Sequence, residues 1–200
     1  MNPFKMVSCM LLISLFLIGC IPEENSDSRS ALEGLSINWN IKLKKTGEYY
    51  KLVEQGLNEN KSQDYFNGVH DSMYIIFKGS DLYDSVEDHV VNHFEDEVTE
   101  SEGTKLHNIF LRLDNATFEL NELLTSGQMD EINKEELSSQ LTKLAEYMDV
   151  TGVSSRHLNL YNVIGNPQAV LREHSQSEIL GLIDDFNHDL KELEELIDNP

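Results

Sequence analysis

The sequence predicts an all-α protein, a compact multi-helix bundle of six or seven helices. Three observations predict it. From Ser30 onward the apolar residues recur at three- and four-residue spacing instead of alternating, which is the period of a helix face. Residues that start and stop helices punctuate those stripes. The chain has 200 residues, 40 % of them hydrophobic, and only four prolines, enough for one domain with a real core and too few breakers to interrupt long helices.

The elements follow in order. Ile37, Trp39, Ile41 and Leu43 alternate as a strand would, whereas Leu32, Leu35 and Trp39 share a helical face. A helix is expected, since a lone strand has no sheet to join. Thr46 is a candidate N-cap for a helix carrying Tyr49, Leu52, Val53 and Leu57. Ser62 precedes a stripe of Tyr65, Phe66, Val69, Met73, Ile76 and Phe77, closed by Gly79 as a C-cap. Ser80 opens another segment faced by Leu82, Val86, Val90, Phe94 and Val98, and 100–103 reads as a turn. The clearest helix runs from about Thr104 to Thr125, with Leu106, Ile109, Phe110, Leu113, Ala116, Leu120, Leu123 and Leu124 on one side and Ser126-Gly127 at its end. Leu137, Leu141, Leu144 and Met148 mark the next. Leu158, Leu160, Tyr161, Val163 and Ile164 need burial in a looser stretch, and Asn166-Pro167 fits the start of a short helix. The last helix, from Ser175 to Ile197, carries Ile179, Ile183, Phe186, Leu190, Leu193 and Ile197. Ser175 and Glu178 have the spacing of a capping box.

The N-terminus departs from this pattern. Lys5 precedes an apolar run from Met6 to Ile18 broken only by Ser8 and Ser14. Thirteen residues rise about 20 Å as a helix, short of a hydrocarbon core of roughly 30 Å, so the run reads as an export signal. It ends Leu17-Ile18-Gly19-Cys20, followed by Ile21-Pro22-Glu23-Glu24-Asn25. This resembles the signal of bacterial lipoproteins, in which a Leu, a small or aliphatic residue and a Gly or Ala precede a lipidated Cys. The resemblance implies cleavage after Gly19, diacylglycerol on the Cys20 thiol and anchoring to the cell membrane on its extracytoplasmic side. It covers only that stretch; the helical body resembles no family. The expected organisation is a signal peptide over 1–19, a lipidated Cys and short tether over 20–30, and a single helical domain over 31–200. Cys9 leaves with the signal, so no pair of cysteines remains for an intrachain disulfide.

Charge bears on partners. Fifteen Lys and Arg stand against 36 Asp and Glu, a net −21. Removing Lys5 leaves 14 against 36, or −22. This balance argues against nucleic acid as a partner, because a phosphate backbone needs a basic footprint. Gly79 to Glu102 holds nine acids and no Lys or Arg, and the last helix is similarly acidic. Lys42, Lys44, Lys45 and Lys51 form the main basic cluster. They read either as packed against a neighbouring acidic helix or as a patch facing membrane or wall polymer.

Candidate chemistry is sparse. His89 and His93, four apart on one side of a helix with Asp96 a turn on, could supply part of a metal site. They equally fit the polar border of an apolar stripe. Asp185 and His188 lie on the expected outward face of the last helix. No Gly-rich phosphate loop, Gly-x-Ser-x-Gly elbow or calcium loop occurs. No catalytic residue and no cofactor is assigned. The leading expectation is a non-enzymatic binding or adaptor protein, held in the bilayer by acylated Cys20, with an envelope protein as partner. The alternatives are a metal-binding protein using His89 and His93, and an enzyme acting on envelope polymers.

Overall fold

The computed structural model describes residues 26–77, 100–127, 132–149, 157–165 and 167–198. Among these residues are seven helices: α1 (Ser26–Asn58), α2 (Gln63–Phe77), α3 (Glu100–Thr125), α4 (Lys134–Met148), α5 (Leu160–Gly165), α6 (Pro167–Leu171) and α7 (Gln176–Asp198). The fold is the all-α bundle that the patterning predicts. The chain divides into two units, Met1–Glu33 and Gly34–Pro200. The first is described only over 26–33, where it is helical, and the packing below belongs to the second.

Exposure decides the ambiguous start in favour of a helix. Trp39 and Leu43 are buried, while Ile41 between them is 54 % exposed. A strand would have placed all three on one face. The cap expected at Thr46 is corrected, for α1 runs through it without a break and Thr46 is fully buried. At Gly47, the next residue, α1 passes close to α4, which a residue without a Cβ permits. A Cβ on Gly47 would stand 3.1 Å from that of Met148.

The α1–α2 joint is a Schellman closure with Asn in the usual Gly place. Asn60 has φ 50°, Lys61 N–H donates to Gly56 O (2.9 Å) and Asn60 N–H to Leu57 O (3.2 Å). α2 then folds back on α1, and the Tyr65 hydroxyl donates to Leu52 O at 2.9 Å. Gln63 Nε2 donates to Leu124 O at 2.6 Å, and His70 meets Asn121, so α2 also lies antiparallel to α3. α1 and α3 therefore run in the same direction. Lys42 pairs with Asp114, Tyr50 with Thr117 (2.8 Å between oxygens) and the Tyr49 hydroxyl with Asn121 Oδ1 (3.3 Å). Burial pushes both tyrosines well above the ordinary phenol range.

Residues 100–103, expected as a turn, are helical instead and begin α3. One glycine weakens a helix by only about 1 kcal/mol, and Glu100 and Glu102 suit the positive end of its dipole. Gly127, at φ +82°, follows α3 where a terminating Gly is expected. Asn133 caps α4, accepting from Glu136 N–H at 3.3 Å while its Nδ2 donates to Glu136 Oε2 at 3.0 Å. α7 packs against α3, α4 and α5. All six residues read as its inner face are buried. Its capping box is formed: Ser175 N–H donates to Glu178 Oε2 (2.8 Å) and Glu178 N–H to Ser175 Oγ (3.3 Å), which holds the Glu178 carboxyl below its usual range. In the looser stretch Leu160, Val163 and Ile164 are buried, whereas Leu158 and Tyr161 are half-buried. The helix expected over Ser80 to Val98 lies outside the described residues.

Candidate functional site

A cleft lined by described side chains lies between α4, α7 and the turn before α5. Its volume is about 430 Å³, and Lys143, Glu146, Tyr147, His157, Leu158, Asn159, Leu182 and Asp189 line it. Helix period builds its walls. On α4, Glu146 and Tyr147 lie one turn after Lys143, beside the Leu141–Leu144–Met148 stripe that enters the core. On α7, Leu182 and Asp189 border the Ile183–Phe186–Leu190 stripe in the same way.

Tyr147 is the centre of the site. Its ring meets the buried Phe186 edge-on, with centroids 5.3 Å apart. Its hydroxyl donates to Asp189 Oδ2 at 2.9 Å. Burial, then the bond to Asp189, then the charges of Asp189, Asp185 and Glu146, push the phenol far above its ordinary range, so it remains a hydrogen-bond donor. Lys143 Nζ stands 3.8 Å from Asp189 Oδ1 and 3.5 Å from Glu192 Oε2. The lining therefore holds one lysine against two carboxylates, Glu146 and Asp189, with Glu192 beside Lys143.

The third wall is fixed by side-chain amides. Asn159 Nδ2 donates to Asp149 O at 3.0 Å, and its Oδ1 accepts Asn162 N–H at 2.8 Å, capping α5. Asn162 Nδ2 donates to His157 O at 2.8 Å. This ties the turn to the end of α4 and sets Leu158 and His157 at the cleft. Leu158, Leu182 and Tyr147 pack against the core with one side and keep the other partly exposed. A second cleft, about 170 Å³ and lined by Gly56, Asn60, Lys61, Gln63, Phe66 and Lys134 among others, lies at the α1–α2 joint.

The residues singled out in the sequence fall elsewhere. Cys20, His89, His93 and Asp96 lie outside the described residues. Among the described residues no group of three or more His, Cys, Asp or Glu is placed to hold a metal ion. The four lysines do not form one surface. Lys42 is buried, with its ammonium on Asp114. Lys44 and Lys45 are exposed and both face Glu48, at 3.9 and 2.9 Å. Lys51 reaches Asp149 at 2.7 Å across to the end of α4. Asp185 and His188 are exposed, and His188 faces Glu192 at 3.4 Å. Sequence reasoning missed Tyr147, Lys143 and Asp189. Their one local signal is a Tyr four residues after a Lys at the edge of an apolar stripe. The contribution of residues 157–159 has no local signal at all. No described helix is long and apolar enough to cross a membrane. Comparison with known families, curated proteins and solved structures finds no match to this chain.

Proposed function

We propose that this chain is a membrane-anchored extracytoplasmic lipoprotein whose helical domain binds a partner at the cell envelope and catalyses no reaction. The observation that carries the anchoring is Leu17-Ile18-Gly19-Cys20 at the end of a thirteen-residue apolar run that begins one residue after Lys5. Two acyl chains on Cys20 suffice for stable anchoring where one gives only marginal affinity. Partner binding is supported by the α4–α7 cleft, where carboxylates outnumber cations beside a partly exposed apolar wall. The folded part needs no disulfide for this role, since one continuous core joins α1, α3, α4 and α7.

Metabolic labelling with palmitate tests the anchor. The wild-type chain takes up label, loses its signal and sediments with membranes. Cys20→Ser abolishes the label and leaves the signal attached. Undiminished label in the variant, or none in the wild type, overturns the anchoring.

A further inference from the structure

We infer that the outward face of α1 rests on the anionic lipid surface of the bilayer that holds the anchor, a refinement that depends on the anchoring reading above. The make-up of the face is the first reason. Ile41, Lys45, Glu48 and Leu52 follow one another at four-, three- and four-residue steps, a single stripe along the helix, and Lys44 and Lys51 run beside it. All six are exposed, Ile41 by 54 % and Leu52 by 42 %. Leu43, Tyr50 and Val53 on the opposite face are fully buried, so the core holds the stripe outward. Two bare aliphatic side chains about 16 Å apart, with lysines between and beside them, suit a helix lying at the level of lipid headgroups. The aliphatic groups enter the acyl boundary, and the lysine stems carry their ammonium groups to the phosphates.

The sign of the charge is the second reason. With Lys42 turned inward, the exposed residues of α1 from Ile41 to Asn58 still include three lysines against one acid, Glu48. Those of α4 include Lys143 against Glu135, Glu136 and Glu146, and those of α7 include Lys191 against five acids. The exposed residues of α2 and α3 include acids and no Lys or Arg. Among the described residues, α1 is thus the one long helix whose exposed face carries more cations than acids. The net charge of −21 does not cancel this. Charges farther off than about 8 Å are largely screened at physiological ionic strength, so a tethered domain responds to the face it presents. Lys44 and Lys45 meet Glu48, and Lys51 meets Asp149, in solvent-exposed pairs. Such pairs are weak enough for lipid phosphates to replace the carboxylates.

The anchor is the third reason. Ile41 lies 21 positions after Cys20, which at full extension keeps it within about 70 Å of the surface. The surface therefore acts at high effective concentration, and a modest preference suffices to decide which face turns towards it.

The test is quenching of a nitrobenzoxadiazole label by a lipid with a headgroup nitroxide, using the full chain purified from membranes and reconstituted in liposomes. Once the signal is removed the sequence keeps no cysteine but Cys20, so an introduced cysteine is the one free thiol. Gln55→Cys reports from the end of the α1 stripe and Asn115→Cys from the exposed face of α3. In phosphatidylcholine with phosphatidylglycerol, quenching is expected to be about threefold stronger for the Gln55→Cys label than for the Asn115→Cys label. Lys44→Gln, Lys45→Gln and Lys51→Gln together are expected to erase the difference, as is omission of phosphatidylglycerol. Ile41→Asn with Leu52→Asn, which leaves the lysines in place, is expected to reduce it. Equal quenching of the two labels on anionic liposomes overturns the proposal, as does a difference that survives loss of the lysines or of the anionic lipid. Palmitate labelling reads the anchor separately. Unlabelled protein defeats the anchor, whereas labelled protein with equal quenching defeats only the face.

Discussion

At the scale of single residues, the buried Lys42–Asp114 pair is the most consequential contact. The Lys42 side chain is 8 % exposed and that of Asp114 27 %. Burial raises the Asp114 carboxyl above its usual range, an effect that Lys42 only partly offsets. Lys42→Met would leave a carboxylate in a largely dry site with no cation, at a cost of about 3 kcal/mol. Lys42→Met with Asp114→Leu removes both desolvation penalties and is expected to be neutral or stabilising by about 1–4 kcal/mol. Urea unfolding at neutral pH measures both, and a double variant weaker than the single one would refute the account. The pH dependence has a definite sign. A carboxyl with a raised folded pKa binds more protons in the folded state, so the wild type gains relative to the double variant as pH falls through that pKa, and the gain is complete below the unfolded value. Nothing local in the sequence revealed the inward turn of Lys42, because its partner lies 72 positions away. Composition reads a lysine as a surface residue, and only the packing of α1 on α3 reverses that reading.

At the scale of elements, the joints control how closely helices approach. Gly56 lies where α2 folds back on α1. A Cβ there would meet Tyr65 Cε1 at 2.5 Å and Phe66 Cε1 at 2.9 Å. Both rings are constrained, Tyr65 by its bond to Leu52 O and Phe66 by burial. Gly56→Ala is therefore expected to destabilise by about 1–3 kcal/mol despite the better helix propensity of Ala, as read by a lowered thermal midpoint. An unchanged or raised midpoint would show that the hairpin can open at no cost. The same scale explains what was legible. α7 was readable to within a residue because its stripe, its Ser175–Glu178 box and its end are all local signals. The start of α3 was not, because Gly103 looks like a stop and costs too little to act as one. The cleft was not, because its third wall comes from a turn whose position depends on two asparagine side chains.

At the scale of the whole molecule, an excess of 21 negative charges opposes compaction. Added salt weakens exposed pairs such as Lys44 and Lys45 with Glu48 and Lys191 with Glu195, but with 36 acids against 15 Lys and Arg it screens mainly repulsion. The thermal midpoint is expected to rise as sodium chloride goes from about 10 mM, where the screening length is roughly 30 Å, to about 1 M, where it is roughly 3 Å. A falling midpoint would mean that attractive pairs dominate. The polar contacts between α1 and α3 matter at this scale in another way. Two helices with repeating apolar faces can mate almost equally well after one slides by a turn, about 5.4 Å. Such a slip would strand Lys42, Asp114, Thr117, Tyr49, Tyr50 and Asn121 in the interior, at about 1–3 kcal/mol for each group left unsatisfied. The correct alignment thus stands apart from its nearest decoys by several kcal/mol. These contacts act as a key that only one alignment turns.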